Sequence, residues 1–404
     1  MAETDKIVPQ GVMTVRDEAL GLLGYVVVDR TINGHACGGL RIHKDLSIDE
    51  LKALARGMTL KYGFCRMDQG GAKAGIVLNM DAPQETKQRF LRRFAELIEP
   101  LLKSGYYITG PDMGTEQKDI LDMLKHIDMK IPKMRRDSGQ KSGFYTALSV
   151  MVAAEACVEY KKMSWNGLKV AIEGFGAVGS SLALLLTRRK KAKIVAISTS
   201  AGAIYDENGL DVEKLRDLLK TKGSKLVDFY EGARKIQQEE VLTLDVDILA
   251  QCAKQYTINE NNAHAIKASI ITPGANNPIT VKAEEILTKR GVLCIPYFCA
   301  NCGGVMGNKM EVTGVSEDVI EDVIRLKNKK KIFRLIEIAR KENQTLTWIA
   351  EGEALDLFNK MKIKVNKRHL KYRLYRMAVN AFNQGVVPKF LLKKIAPMYL
   401  RKIF

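Results

Sequence analysis

Residues 168–197 constrain the fold more than any other stretch. Leu168-Lys169-Val170-Ala171-Ile172-Glu173 reads as a strand, Gly174-Phe175-Gly176-Ala177-Val178-Gly179 follows it, and Leu182-Ala183-Leu184-Leu185-Leu186 continues as a helix. A second strand, Ile194-Val195-Ala196-Ile197, comes next. Glycines at G-x-G-x-x-G spacing between a strand and a helix let the backbone turn tightly, approach a pyrophosphate and pack helix on strand. The anion then sits at the helix N-terminus, where N–H groups point at it. The pattern is weak alone. With its flanking elements it predicts a Rossmann-type dinucleotide-binding domain, using Gly174, Gly176, Ala177, Val178 and Gly179. Strand-like runs at 247–250, 270–272 and 292–296, separated by helical stretches, extend this doubly wound domain over about residues 140–330.

About 20 residues beyond the last glycine, NAD-binding chains place an acid against the ribose 2′-hydroxyl. Here the chain reads Ser198-Thr199-Ser200. The missing carboxylate removes repulsion against a 2′-phosphate, and hydroxyls such as that of Thr199 can bind one. The expected cofactor is NAD or NADP, with NADP or dual use favoured.

The first third of the chain is patterned differently. Residues 1–24 carry little signal. Residues 25–29 read as a strand, and Asn33-Gly34 as the turn of a hairpin into 36–42. Ser47 and Glu50 have the spacing of a capping box, followed by a helix with Leu51, Leu54, Ala55 and Met58 on one face and Lys61 near its end. Then come Gly70-Gly71-Ala72-Lys73-Ala74-Gly75, three glycines and a lysine in six residues, which read as a turn before a strand at 75–78. A lysine fixed in apolar surroundings loses its proton more readily, so Lys73 is a candidate catalytic group. A surface turn with an incidental lysine is the plainer reading of that stretch alone. Residues 84–103 read as one amphipathic helix, and 106–109 as a strand entering a tight turn, Gly110-Pro111-Asp112-Met113-Gly114-Thr115, with an acid at its centre.

Length and charge bound the rest. A chain of 404 residues accommodates two domains. No apolar run is long enough to span a bilayer, and the first residues do not have the form of a secretory signal. Seven scattered cysteines suit free thiols in a reducing compartment, so a cytoplasmic location is expected. The net charge of +18 is concentrated: residues 360–404 carry 13 positive charges and no acid, leaving +5 for the remainder. Such a basic, partly apolar segment can dock on a membrane or nucleic acid, but a helical extension with solvated charges is favoured. Cys299 and Cys302 form a lone C-x-x-C, read as buried free thiols and not as a metal site.

Taken together, several runs resemble the glutamate/leucine/phenylalanine/valine dehydrogenase family. They are Gly38-Gly39-Leu40-Arg41, Met58-Thr59-Leu60-Lys61, Gly70-Gly71-Ala72-Lys73, Gly110-Pro111-Asp112-Met113-Gly114-Thr115, the glycine fingerprint at 174–179, Gly274-Ala275-Asn276-Asn277-Pro278 and Asn301-Cys302-Gly303-Gly304-Val305. They occur in the family's order, from about residue 20 to 358. The resemblance implies reversible oxidative deamination of an L-amino acid to a 2-oxo acid and ammonia with NAD(P), by a homo-oligomer built through the first domain. It implies that Lys61 pairs with the α-carboxylate, that Lys73 activates water, and that Asp112 exchanges protons with the amino group. Two cations near each other, Lys61 and Lys73, would push one proton affinity down. Gly39 and Val305 fall in the substrate motifs; Ser142, Asn276 and Asn301 fall at cofactor positions.

Departures from the pattern bear on the substrate. Where glutamate enzymes usually carry a lysine before Gly38-Gly39, this chain has Cys37, which offers no cation. That favours an aliphatic or otherwise uncharged side chain. Asn308 and Lys309 also depart from usual residues, and Tyr297 follows Pro296 where the family usually has Asp. Two alternatives stay open: a glutamate dehydrogenase with a rebuilt side-chain pocket, and a catalytically reduced NAD(P)-binding sensor. The expected architecture is α/β in two domains: an N-terminal α/β oligomerisation and substrate domain, residues 1–135 plus about 335–359, and a dinucleotide domain at 140–330. A basic helical extension follows at 360–404.

Overall fold

The computed structural model describes residues 8–131, 141–312, 315–366 and 377. Most of the basic extension expected over 360–404 therefore lies outside the described residues. The chain divides into two compact units. The first is built on the described parts of Met1–Gln140, Met310–Ser316 and Glu353–Phe404; the second comprises Lys141–Lys309 and Glu317–Gly352. The helix Leu346–Asn366 thus belongs to the first unit only from Glu353 onward, later than the boundary near 335 suggested by sequence.

The first unit holds a five-stranded sheet: β1 (Gly11–Asp17), β2 (Leu22–Val28), β3 (Ala36–His43), β4 (Gly70–Val77) and β5 (Tyr107–Pro111). Their order in space is β1-β2-β4-β3-β5. β1 and β2 form an antiparallel pair within the stretch that carried little sequence signal. The Asn33-Gly34 turn forms, with both residues at positive φ and an isolated bridge between Ile32 and His35. The expected hairpin does not follow, because β4 inserts between β2 and β3, antiparallel to the first and parallel to the second.

The segment read as a glycine turn is this central strand. Gly70, Gly71 and Gly75 serve close packing and not reversal of the chain. A Cβ on Gly71 would lie 2.2 Å from the Thr59 nitrogen, and one on Gly70 would lie 2.0 Å from the Arg30 carbonyl. Without a side chain on Gly71 the strand can approach α1 (Ile48–Phe64) this closely, and without one on Gly70 it can pass the backbone of Arg30 and Thr31. Ala72, Ala74 and Ile76 point into the larger core, with Phe90 and Phe94 of α2 (Gln84–Leu97) and Ile120 and Met123 of α4 (Gln117–His126). By the alternation of a strand, Lys73 faces the other side, where α1 packs.

Pro100 splits the helix expected over 84–103. It sits in the first turn of a short α3 (Glu99–Lys103), where its missing N–H costs nothing. Ser47 caps α1 by accepting from the Glu50 N–H at 3.1 Å. The Glu50 carboxylate does not complete a capping box; it accepts from Arg41 instead.

The second unit holds a seven-stranded sheet: β6 (Lys169–Glu173), β7 (Lys193–Thr199), β8 (Gly202–Tyr205), β9 (Arg234–Ile236), β10 (Ile248–Gln251), β11 (Ile270–Ile271) and β12 (Leu293–Cys294). The order is β12-β11-β10-β6-β7-β8-β9. The five strands from β12 to β7 run parallel, and β8 and β9 add an antiparallel edge. The helices α5 (Ser142–Tyr160) and α6 (Ala177–Lys190) pack together beside this sheet. The chain crosses from β6 through α6 to β7, next to β6, as the sequence of this segment predicts.

Candidate active site

In the first unit a charge cluster with buried cations forms around the half-buried Asp112, directly after β5. Its Oδ1 lies 2.9 Å from Lys73 Nζ, and its Oδ2 accepts from Arg41 Nε at 2.8 Å. Arg41 Nη1 in turn donates to Glu50 Oε1 at 2.5 Å. The elements dictate this meeting. Lys73 projects from β4, Arg41 from the α1-facing side of β3, and Glu50 from the first turn of α1. Gly39 makes room, since a Cβ there would lie 2.8 Å from Asp112 Cβ. Thr115 fixes the turn by donating to the Leu40 carbonyl and accepting from the Asp112 N–H.

Lys73 is 3% exposed, and burial lowers its proton affinity below the ordinary lysine value. The neighbouring Asp112 opposes that shift and Arg41 adds to it. Burial alone would raise Asp112, but Lys73 and Arg41 outweigh it and hold the carboxyl at about 2. Lys61 is buried in the last turn of α1, where a cation also complements the helix C-terminus. The cation that acts most on Lys73 is Arg41, which sequence reasoning passed over along with Glu50. The signal was there: Cys37, Gly39 and Arg41 recur at the spacing of one strand face. Cys37, on the same face, contacts the hydroxyl of buried Tyr62. Burial first, and then this contact, hold Tyr62 well above the ordinary tyrosine value.

In the second unit the glycine loop has the geometry its spacing implies. Gly174 has φ 91°, and a Cβ there would strike Ala253 at 2.8 Å. A Cβ on Gly179 would lie 2.0 Å from the Gly174 carbonyl, so that glycine allows α6 to sit against β6. Gly176 faces open space, and no side chain caps α6. The first-turn N–H groups of Ala177 and Val178 thus suit an anion. Asn301 Nδ2 donates to the carbonyls of Gly274 and Ala275 and to Asn276 Oδ1 at 3.0–3.1 Å. The Oδ1 atoms of Asn301 and Asn308 are buried acceptors without hydrogen-bond partners among the described residues. These features fit a dinucleotide: a bare glycine and a free helix end for its pyrophosphate, and orphaned amide oxygens for a donor such as a carboxamide. Ser142 Oγ accepts from Asn308 Nδ2 at 3.4 Å, and Val305 is half-buried on the same helix, Gly303–Glu311.

Two of the hydroxyls at 198–200 are engaged within the protein. Ser198 Oγ points inward and accepts from the Gly174 N–H, tying β7 to the glycine loop. Thr199 Oγ1 donates to the Ser224 carbonyl and accepts from Ala201 N–H. Both hydroxyls brace the loops around the β7 end. Cys299 and Cys302 are buried, and Asn328 donates to the Cys302 sulfur at 3.2 Å.

Comparison with known proteins decides the family. The model of the Glutamate/Leucine/Phenylalanine/Valine dehydrogenase family matches residues 140–361, and that of the Glu/Leu/Phe/Val dehydrogenase dimerisation domain matches 9–129. The chain belongs to this family. It is an NAD(P)-dependent amino acid dehydrogenase, an oxidoreductase acting on the CH–NH2 group of its donor. It is 33% identical over 319 residues to a glutamate dehydrogenase of Thermotoga maritima, covering 76% of each chain. It is 35% identical over 302 residues to an NAD-specific glutamate dehydrogenase of Staphylococcus aureus, covering 70% of each. Its fold resembles the hetero-hexameric glutamate dehydrogenase from Thermus thermophilus in its Leu-bound form, with a TM-score of 0.77 at 22% identity over 87% of this chain and 89% of that one.

Proposed function

We propose that the chain catalyses the reversible oxidative deamination of an L-amino acid with an uncharged, preferably aliphatic, side chain, yielding the 2-oxo acid and ammonia. NAD(P), when bound, supplies the two-electron acceptor for the hydride on Cα. The chain's own residues handle the carboxylate and the protons. Lys61 holds the α-carboxylate. Lys73, buried and with lowered proton affinity, takes a proton from water as the water oxygen bonds to the imine carbon. Asp112 exchanges protons with the amino group. Its carboxylate is held between two cations, so the proton it accepts comes from a group that displaces one of them. The substrate ammonium is such a group.

The observation that carries the substrate class is Cys37, which meets the buried Tyr62 hydroxyl and puts no cation beside Gly38-Gly39. A buried carboxylate without a cation costs several kcal/mol, so a glutamate side chain is disfavoured there. A second reading is glutamate dehydrogenase with a rebuilt pocket, which the names of the relatives favour. The test is an absorbance assay over a panel of L-amino acids with NAD and with NADP. Turnover with leucine, valine or another uncharged substrate is expected, and Cys37→Lys is expected to shift kcat/KM toward glutamate by on the order of tenfold or more. Turnover with glutamate alone would overturn the reading, and turnover with nothing would favour a sensor. The absence of a carboxylate at the β7 end supports NADP or dual use. The dimerisation-domain match supports a homo-oligomer built through the first unit.

A further inference from the structure

We propose that Arg41 is a positioning residue that sets the proton affinity of Lys73, with Glu50 as its counterweight. This rests on the reading of Lys73 as the group that activates water.

The geometry makes the case. A carboxylate paired only with Lys73 would hold the ammonium charged. Asp112 is not paired only with Lys73: one oxygen serves Lys73 at 2.9 Å and the other serves Arg41 at 2.8 Å. Arg41 cannot give up its proton in a protein. When two buried cations compete for one carboxylate, Lys73 is therefore the one that can become neutral. Arg41 cannot swing away, because its fork also reaches Glu50 at 2.5 Å and it is only 7% exposed. A lysine at 41 would be a single point charge and could not span both acids.

The charged groups around Lys73 come from each neighbouring element. β3 contributes Arg41, the end of β5 contributes Asp112, and α1 contributes Glu50 and carries Lys61, while β2 places Val27 opposite. Arg41 favours the neutral amine, and Glu50 and Asp112 favour the ammonium. Glu50 thus acts twice: it holds Arg41 in place and partly offsets its charge. Removing one member of the pair is expected to move Lys73 in one direction, and removing the other in the opposite direction. A purely structural role would give no such change of sign.

The test uses the full-length protein and two readouts. One is kcat and kcat/KM against pH; the other is the pH dependence of Lys73 acetylation by acetic anhydride, read by peptide mass spectrometry without turnover. In Arg41→Gln the acid limb of the rate profile and the onset of labelling move to higher pH. Activity near neutrality then falls on the order of tenfold and recovers at alkaline pH. In Glu50→Gln both move to lower pH. Arg41→Lys keeps the charge, loses the fork and falls between wild type and Arg41→Gln. Equal loss at every pH in Arg41→Gln, or shifts of the same sign in Arg41→Gln and Glu50→Gln, would overturn the proposal. If Arg41→Gln does not fold, Glu50→Gln decides alone, since an unmoved labelling curve there refutes the counterweight. Failure of the underlying reading looks different: Lys73→Ala would then keep its turnover whatever Arg41 does.

Discussion

The two units solve opposite problems with opposite materials. In the first, Lys73, Arg41, Asp112 and Glu50 are charged side chains brought together on strands and a helix end, mostly out of water. In the second, the cofactor residues are glycines, backbone N–H groups and amides, with hardly a charge among them. Moving protons requires groups whose affinities burial and neighbours can tune. Binding a polyanion requires close backbone approach and oriented dipoles, which need no titratable group. Changes in the first unit should therefore read out in pH and kcat, and changes in the second in affinity and packing.

The largest test of that division is Lys73→Ala. It removes the base and leaves Asp112 with Arg41. We expect kcat to fall on the order of 10²–10⁴-fold, while dinucleotide affinity, followed by fluorescence titration, stays at the wild-type value. A parallel loss of cofactor affinity would dissolve the comparison.

The same contrast explains what the sequence made legible. The glycine fingerprint is contiguous, and each glycine has a local job, so together with its flanking elements it marks the loop, the helix start and the strand that follows. The charge cluster is assembled from positions 41, 50, 73 and 112, and nothing local says that they meet. Glycine content signals turns, so the local pattern places Lys73 in one. The glycines at 70, 71 and 75 instead answer to α1 and neighbouring backbone pressed against a central strand, a tertiary demand invisible in the local pattern. The spacing of Glu50 marks it as a capping partner, yet a buried guanidinium outcompetes a backbone N–H already within reach of water. The Asn33-Gly34 turn formed, but strand pairing depends on what else can enter the sheet, and β4 did.

Within the second unit two glycines separate packing from binding. Gly179→Ala puts a Cβ 2.0 Å from a backbone carbonyl that cannot yield, so a loss of roughly 1–3 kcal/mol of stability is expected. Gly176→Ala points its Cβ into open space, at a φ that any residue adopts. We expect it to leave the melting temperature unchanged and to weaken dinucleotide binding, as measured by calorimetry and fluorescence titration. Equal destabilisation by both would show that the loop is built for packing alone.

Glu173 is the exception that sharpens the contrast, a buried carboxyl beside a cofactor loop otherwise run on dipoles. It ends β6 directly before Gly174, is 8% exposed and accepts from Thr257 Oγ1 at 2.9 Å. Burial raises it to about 7, against smaller opposing effects of Thr257 and Lys254. The folded protein therefore holds more protons than the unfolded chain between the ordinary carboxylate range and about 7. Stability contributed by this group is full below that window and is lost as pH rises through it. Glu173→Gln keeps an acceptor for Thr257 but cannot ionise. We expect the two proteins to melt together near pH 5 and the variant to melt higher above pH 7.5, by about 2–4 °C for each ~1 kcal/mol. A negative charge one residue from the pyrophosphate loop should also weaken wild-type cofactor binding over the same range, and Glu173→Gln should flatten that dependence. If the variant and wild-type curves run parallel in both measurements, Glu173 stays protonated throughout. The cofactor loop then has no titrating group beside it, and the division between the two units is sharper than the burial of Glu173 suggests.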